Sequence, residues 1–356
     1  MSFAIRLHQA RKAAGFSLRA LADAIGLSHA AIKKYEDGDA MPSSDVLIKL
    51  ARALAVRSEW FFRPVTVSLE KVEYRKRSSL PAKRLENITH KIRDMIERRL
   101  ELEKLLPSSL SQEFEPVSGL PAIIASLDEI EAVADTVRNE WGLGYDPIPD
   151  MVDLLEAHGV RIFMVETMDG EGFDGLAASA DGVPVVVVGK NWPGDRQRFT
   201  LAHELGHLML KGRLGSDIPE ERACNRFAGA FLFPRIAVTR ALGNRRTRLE
   251  VKELALIKEE FGLSMAAVAH RAKDLRIIRE TSHTSLIKLF NLRGWRKVEP
   301  GNPIPPEQSH VFEQMVFRAL GEDCIGESKA AELMTMPLVA FKQLRSMGDA
   351  GAASHQ

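Results

Sequence analysis

The run His203-Glu-Leu-Gly-His207 constrains this chain most, because it lies within a segment of mostly apolar residues. The apolar spacing around it predicts a buried helix over about 194–211. Residues four positions apart share one face of a helix, so His203 and His207 can present two imidazoles to one metal ion. Glu204 is close enough to hold a metal-bound water without ligating the metal. Burying these three polar groups is costly unless they are paired or metal-bound, so the run predicts a metal site.

A metal site that keeps one position open for water needs a third protein ligand. The next predicted helix begins Pro219-Glu-Glu-Arg-Ala-Cys224, and an acidic residue in its first turn is a ready ligand. Acidic residues are also common there because they interact favourably with the helix dipole. Spacing alone does not separate Glu220 from Glu221. Cys224 has the chemistry of a ligand, but we interpret it as a small buried apolar residue.

These segments resemble a known family. Arg198 to His207, then Glu221-Arg-Ala-Cys-Asn-Arg-Phe-Ala228 and Phe231-Leu-Phe-Pro234, are similar to the ImmA/IrrE metallopeptidases, over about residues 120–280. The resemblance implies a zinc ion held by His203, His207 and Glu221, with Asn225 supporting a ligand from behind. It also implies that Glu204 takes a proton from the water that attacks a peptide carbonyl. The same ligands accept manganese, so Zn²⁺ is the first expectation and Mn²⁺ the second.

The first 62 residues predict five short helices, with Ser17 and Ser28 as helix N-caps and Gly26 in the turn between the second and third. A capped helix after such a turn is typical of a helix-turn-helix. The runs Arg11–Ala22, Gly26–Ser28 and Tyr35–Gly38 resemble the Cro/repressor (XRE-type) family. That resemblance implies binding of double-stranded DNA, with contacts expected from Ser28, His29, Ala30, Lys33, Lys34 and Arg19. The alternative is a helix-turn-helix that serves as a protein-docking module.

The charge distribution is uneven along the chain. Residues 1–110 carry 21 Lys and Arg against 13 Asp and Glu, whereas the remainder carries 28 against 35. A basic front and an acidic rear favour nucleic acid as a partner of the front part alone. The alternative is a solvated charge distribution that has no partner.

The fold class expected from these patterns is multidomain and mostly α, with an α+β peptidase domain. We predict a five-helix helix-turn-helix domain over 1–66, a basic connector with an amphipathic helix over 67–120, a zincin-like metallopeptidase domain over 121–280, and a helical C-terminal region over 281–356. Short strands are expected at 160–165, 176–180 and 184–188, with a hairpin turn at Asp181-Gly182. The apolar stripe of the connector helix predicts packing on the same chain, or alternatively a homodimer contact.

Composition excludes several classes of protein. Two cysteines, Cys224 and Cys324, are too few for a disulfide framework and favour a reducing compartment. The longest apolar run, at 183–188, is too short to span a bilayer, so no membrane association is expected. We therefore expect a cytoplasmic protein.

The combined interpretation is a DNA-binding transcriptional regulator whose zinc-dependent endopeptidase domain cleaves a specific partner protein. The resemblance implies that this partner is a repressor or antitoxin in a stress or mobile-element response. The alternative is a metal-stabilised or metal-sensing transcriptional repressor or antitoxin without proteolytic activity. Glu204 favours the first interpretation, because a purely structural metal needs no carboxylate at that position.

Overall fold

The computed structural model describes residues 2–63, 69–74, 82–106, 113–166, 173, 175–180, 182–296 and 298–347. Its helices, in chain order, are α1 (Ser2–Ala13), α2 (Leu18–Ile25), α3 (His29–Asp37), α4 (Ser44–Ala53), α5 (Ala82–Leu105), α6 (Ile130–Glu140), α7 (Met151–Ala157), α8 (Gly194–Leu210), α9 (Glu220–Leu232), α10 (Arg235–Leu242), α11 (Val251–Phe261), α12 (Met265–Asp274), α13 (Glu280–Leu292), α14 (Val311–Gly321), α15 (Glu327–Leu333) and α16 (Leu338–Arg345). A short 3-10 helix spans Ser58–Phe62, and the strands are β1 (Leu69–Tyr74), β2 (Arg161–Val165), β3 (Gly175–Ala180) and β4 (Val183–Gly189). The expected multidomain, mostly helical fold with an α+β part is confirmed. No helix in these ranges is both long and apolar enough to cross a membrane.

The described residues form two compact units that do not follow the chain order. The first unit comprises Met1–Glu70, Ser79–Gln112 and His310–Gln356, and the second comprises Lys71–Ser78 and Glu113–Ser309. The four segments expected from sequence therefore map onto two bodies. The connector helix α5 joins the front helices, and the region 281–356 is divided between the two units.

The front of the first unit is the expected set of four helices and one 3-10 helix. Ser17 and Ser28 cap α2 and α3, since their hydroxyl oxygens accept hydrogen bonds from the backbone N–H groups of Ala20 and Ala31. Gly26 ends α2 at a φ of 73°, in the left-handed region that favours glycine. The helices enclose a small core that includes Phe3, Leu7, Leu21, Ile25, Ile32, Leu50 and Phe61.

The apolar stripe of α5 packs on helices of the same chain, which is the first of the two expected arrangements. Ile92 and Ile96 are buried along the part of α5 that packs on α1. Arg6 of α1 forms a buried ion pair with Glu97 of α5. Further along α5, Leu102 shares a second small core with the last three helices, whose buried members include Met315, Val316, Ala319, Ala330, Leu333 and Phe341. The helices after residue 310 thus complete the unit that the first residues begin. Leu85, near the start of α5, lies outside the residues whose side chains are described.

The sheet of the second unit has the strand order β1-β3-β4-β2. β2 runs parallel to β4, and β3 runs antiparallel to β4 with Gly175 opposite Val188. The three strands expected from the sequence are present, and Gly182 lies in the expected turn at a φ of 84°; Asp181 lies outside the described residues. The strand β1 was not expected, because its segment was interpreted as a connector. The sheet packs through β3 and β4 on α8.

The residues just before position 310 hold the first turn of α8. The backbone N–H of Gly194 donates to the carbonyl of Ile304 at 3.0 Å, and a Cβ on Gly194 would lie 2.1 Å from the Pro305 carbonyl oxygen. Only glycine permits this contact. Glu307 forms a buried ion pair with Arg198 and accepts a hydrogen bond from the N–H of Met151 at 2.9 Å. This segment therefore fixes the start of α8 and of α7 together.

A buried ionic cluster ties α6, α9 and α12 together. Both carboxylate oxygens of Glu131 accept hydrogen bonds from Arg271 at 2.6 Å, and Oε1 also accepts from Arg226 at 2.5 Å. Burial by itself would raise the pKa of Glu131, but the two guanidinium groups outweigh it and lower that pKa below its usual value. The carboxylate therefore stays ionised and is the shared anchor of the three helices.

We expect Phe341→Ala to destabilise the first unit by about 3–5 kcal/mol, because Phe341 is fully buried and stacks on Phe317 with ring centroids 5.7 Å apart. The measurement is hydrogen exchange of the α5 and α14 amides at increasing urea. Val339→Ala is the matched control, because Val339 in the same helix is 70% exposed. Equal loss of protection in both variants would contradict this description of the core.

We expect Glu131→Gln to destabilise the second unit by about 3–5 kcal/mol at pH 7, because two buried guanidinium groups lose their counter-charge. The lowered pKa of Glu131 means that its contribution is present at neutral pH and is lost as the pH falls below about 4.5. The difference between wild type and variant should therefore shrink in acid. Urea unfolding at several pH values measures it. Asp128→Asn is the control, since Asp128 reaches Arg226 from a 58% exposed position and should change stability little.

Candidate metal centre and helix-turn-helix surface

The two helices that carry the candidate metal ligands, α8 and α9, approach each other closely at Gly206. A Cβ on Gly206 would lie 3.2 Å from Cα of Cys224 and 3.3 Å from the ring of Phe227. A side chain at position 206 would therefore require the α9 backbone or the Phe227 ring to shift by a few tenths of an ångström. Because Gly206 lies between His203 and His207 along α8, this contact brings the start of α9 against the histidine-bearing face.

The two imidazoles face each other through their Nε2 atoms, which are 3.2 Å apart. On the opposite sides of the rings, Nδ1 of His203 lies 3.0 Å from Oδ1 of Asn225, and Nδ1 of His207 lies 3.0 Å from Oε1 of Glu220. These oxygens accept hydrogen bonds, so they assign the ring protons to the Nδ1 atoms. Each Nε2 then directs a lone pair toward the other. Two facing lone pairs repel, and a cation between them removes that repulsion.

The separation of the donors suits a tetrahedral metal ion. Two nitrogen ligands about 2.0–2.1 Å from a tetrahedral zinc lie roughly 3.3 Å from each other, and the two Nε2 atoms are 3.2 Å apart. Glu221 directs its carboxylate toward the same side, with Oε1 3.6 Å from Nε2 of His207 and Oε2 3.8 Å from Nε2 of His203. Two imidazoles and one carboxylate, with the carboxylate 44% exposed, fit a divalent cation that has an open position.

The structure gives Glu220 and Glu221 different positions, which spacing alone did not. Glu221 lies on the Nε2 side of both rings, whereas Glu220 bonds the far nitrogen of His207. The buried Cys224 is a further candidate donor. Its sulfur and one ring nitrogen of each histidine all lie within 4.8 Å of one another. The sequence interpretation of Cys224 as a small buried residue therefore omits its proximity to the imidazoles.

Glu204 on α8 is buried, with 2% of its surface exposed, beside the first residue of β3. A Cβ on Gly175, the first residue of β3, would lie 2.7 Å from Cγ2 of Thr200 and 3.7 Å from Oε1 of Glu204. The strand therefore begins in direct contact with the helix turn that carries Glu204. Sequence reasoning missed both glycines, although Gly206 lies inside a predicted helix and Gly175 directly precedes a predicted strand, and such glycines can signal close backbone approach.

The residues expected to contact DNA are exposed on α2, on α3 and at the N-cap of α3. Ser28, His29, Ala30, Lys33, Lys34 and Arg19 are all exposed. The two lysines of α3 differ in their contacts. Lys33 forms an ion pair with Asp37 at 2.9 Å, whereas the structure gives no ion pair of this kind for Lys34. The hydroxyl of Ser28 accepts the N–H of Ala31 at 3.2 Å.

A charged cluster behind this surface fixes the orientation of α3. Arg11 of α1 donates to both carboxylate oxygens of Glu36, at 2.6 and 2.7 Å, and His8 lies 3.0 Å from the same carboxylate. Burial alone would raise the pKa of Glu36, but Arg11 and His8 outweigh it, so the pKa is lowered. Charge-assisted hydrogen bonds from Arg11 to Glu36 thus hold α3 against α1.

Comparisons with known proteins find one family in the helix-turn-helix segment and another in the segment that carries the candidate metal ligands. Residues 7–61 match the helix-turn-helix family, and residues 155–273 match a peptidase family described as the IrrE N-terminal-like domain. The second match contains α8 and α9 with every candidate metal ligand. No curated protein shows significant similarity to the chain. The chain therefore carries an XRE-type helix-turn-helix domain at residues 7–61 and an IrrE-like peptidase domain at residues 155–273.

Proposed function

We propose that this chain is a DNA-binding regulator whose second unit is a zinc-dependent endopeptidase acting on a specific partner protein, a repressor or antitoxin. One observation carries the peptidase proposal: two Nε2 atoms 3.2 Å apart, with Glu221 facing them and Glu204 one residue beyond His203 on the same helix. Zinc is preferred over manganese because two imidazoles dominate the donor set.

Each residue of the centre has a separate role in the proposal. His203, His207 and Glu221 hold the metal, and Asn225 and Glu220 hold the two rings with Nδ1 protonated. When bound, the metal polarises the peptide carbonyl and lowers the pKa of water. Glu204 takes the proton of the attacking water and delivers it to the leaving amine nitrogen. Burial of Glu204 against β3 keeps bulk water from competing for that proton.

The proposed DNA contact uses the exposed face of α3 and the start of α2. A helix of this kind enters the major groove with its N-terminal residues near the base edges. His29 and Ala30 occupy that end of α3, Ser28 caps it, and Lys34 and Arg19 supply phosphate contacts. The excess of basic residues in the first 110 positions supports this surface as the electrostatic site.

We expect Glu204→Gln to retain the metal and to lower the rate of substrate cleavage by about 10²–10⁴-fold, because the amide cannot accept the proton. Metal content is measured by mass spectrometry of purified wild type and variant. The inactive variant is also used to capture partner proteins, which are then incubated with wild type to detect cleavage.

Two control variants separate the roles in the centre. Glu221→Ala should lose most of its metal, whereas Glu220→Ala, which removes only a support of His207, should lower metal affinity by about 10–100-fold. A Glu204→Gln chain that cleaves captured partners as fast as wild type would refute the peptidase proposal. Full metal content without cleavage of any captured partner would favour the metal-sensing repressor.

We expect Lys34→Ala to weaken binding to duplex DNA of random sequence and to lower the slope of log affinity against log salt concentration by about one. Fluorescence anisotropy at several salt concentrations measures both. Lys49→Ala is the matched control, because Lys49 is exposed on α4 rather than α3. Equal effects of the two substitutions would argue against α3 as the recognition helix.

A further inference from the structure

The strand β3 is the part of the sheet that meets Glu204. It pairs with β4 on one side, antiparallel, and its first residue, Gly175, packs directly on α8 beside the Glu204 carboxylate. An extended peptide bound along the other side of β3 would form main-chain hydrogen bonds with it and would reach the metal centre. Addition of a strand to a sheet edge is a general mode of peptide binding.

That side of β3 is occupied by β1 of the same chain. Lys71–Tyr74 of β1 belong to the second unit, whereas Leu69 and Glu70 and the described ranges on both sides, 2–63 and 82–106, belong to the first. The chain thus enters the second unit within β1 and then returns. β1 is therefore a strand added to the sheet by a segment that connects two parts of the first unit. It pairs with β3, the strand that begins beside Glu204.

We propose that β1 is an autoinhibitory strand that occupies the place of an extended substrate segment on β3. The inference rests on the proposed peptidase function. Release of β1 opens the edge of β3, and the substrate then pairs with the same backbone groups. A condition that draws the connector away from the second unit therefore activates cleavage, and the intact chain in its resting state cleaves slowly.

The connector makes β1 a strong competitor. Only five residues separate Arg63 from Leu69, and seven separate Tyr74 from Ala82, so β1 is tethered at both ends by short segments. A short tether gives an effective concentration on the order of millimolar. A partner protein present at micromolar concentration does not displace such a strand unless its affinity for β3 exceeds that of β1 by about a thousandfold. This requirement restricts cleavage to specific partners and predicts a low basal activity.

The test places proline at two neighbouring positions of β1 in the full-length chain, Val72→Pro and Glu73→Pro. Successive backbone N–H groups of an edge strand point in opposite directions, so one proline removes a hydrogen bond to β3 and the other faces away. Thr66→Pro, in the same connector but before β1, is the control. Three quantities are measured: hydrogen exchange of the β3 amides, binding of a labelled synthetic peptide of residues 68–75 by fluorescence anisotropy, and cleavage of fluorescent unfolded casein.

We expect one of the two β1 variants, with metal content equal to wild type, to lose protection of the β3 amides. The same variant should bind the peptide and cleave casein at least about tenfold more strongly than wild type and Thr66→Pro. Retention of β3 protection and no peptide binding in both variants would overturn the inference, and the metal centre would be unaffected. Exposed β3 amides without faster cleavage, in a chain whose wild type cleaves, would also overturn it. Peptide binding without casein cleavage by any variant would overturn autoinhibition, whereas the peptidase function is refuted separately, when wild type fails to cleave partners captured by Glu204→Gln.

Discussion

The candidate site depends on the close approach of α8 and α9 at Gly206. A Cβ there would lie 3.2 Å from Cα of Cys224, which is tighter than ordinary van der Waals contact. Because that contact lies between the two histidines, it sets the distance of Glu221 and Asn225 from the imidazoles. A change of an ångström in the helix separation would move the third donor out of range of a metal with ligand bonds near 2 Å. The strand β3 meets the same helix at Thr200, six residues before Gly206, and this contact is also made at a glycine, Gly175.

Buried ion pairs hold helices together in both units. The pKa values of their carboxylates shift in opposite directions, and the neighbouring charged groups explain why. Glu131 has two guanidinium partners, which outweigh burial and lower its pKa. Glu97 in the first unit is also buried and pairs with Arg6, but burial is the largest influence there and raises its pKa. At Glu131 the two hydrogen-bonded guanidinium groups outweigh burial, whereas at Glu97 burial and the nearby carboxylate of Asp94 outweigh Arg6 and Arg93. Arg226 of the Glu131 cluster lies on α9, one residue from Asn225, so the cluster supports the helix that supplies the ring partner of His203.

The order of elements along the chain links the proposed DNA-binding part to the proposed peptidase. The first unit contains the helix-turn-helix and is completed by the last three helices, so the peptidase domain is inserted between two parts of one folded body. The connector between the front helices and α5 also supplies a strand to the peptidase sheet. A signal that acts on this connector would alter the edge of β3 without any change at the metal ligands. Regulation and catalysis would then use different residues of the same unit.

The sequence determined the local features of this protein. Helical periodicity placed His203 and His207 on one face, serine caps and glycine turns delimited the front helices, and alternating apolar residues marked three strands. These features depend on residues close together in the chain, so their patterns are legible in the sequence. Only the tertiary structure decided that Glu221 faces the Nε2 atoms while Glu220 supports His207, that α5 shares a core with α14–α16, and that β1 pairs with β3. Each of these depends on contacts between segments far apart in sequence, and no local pattern specifies which distant partner a segment will meet.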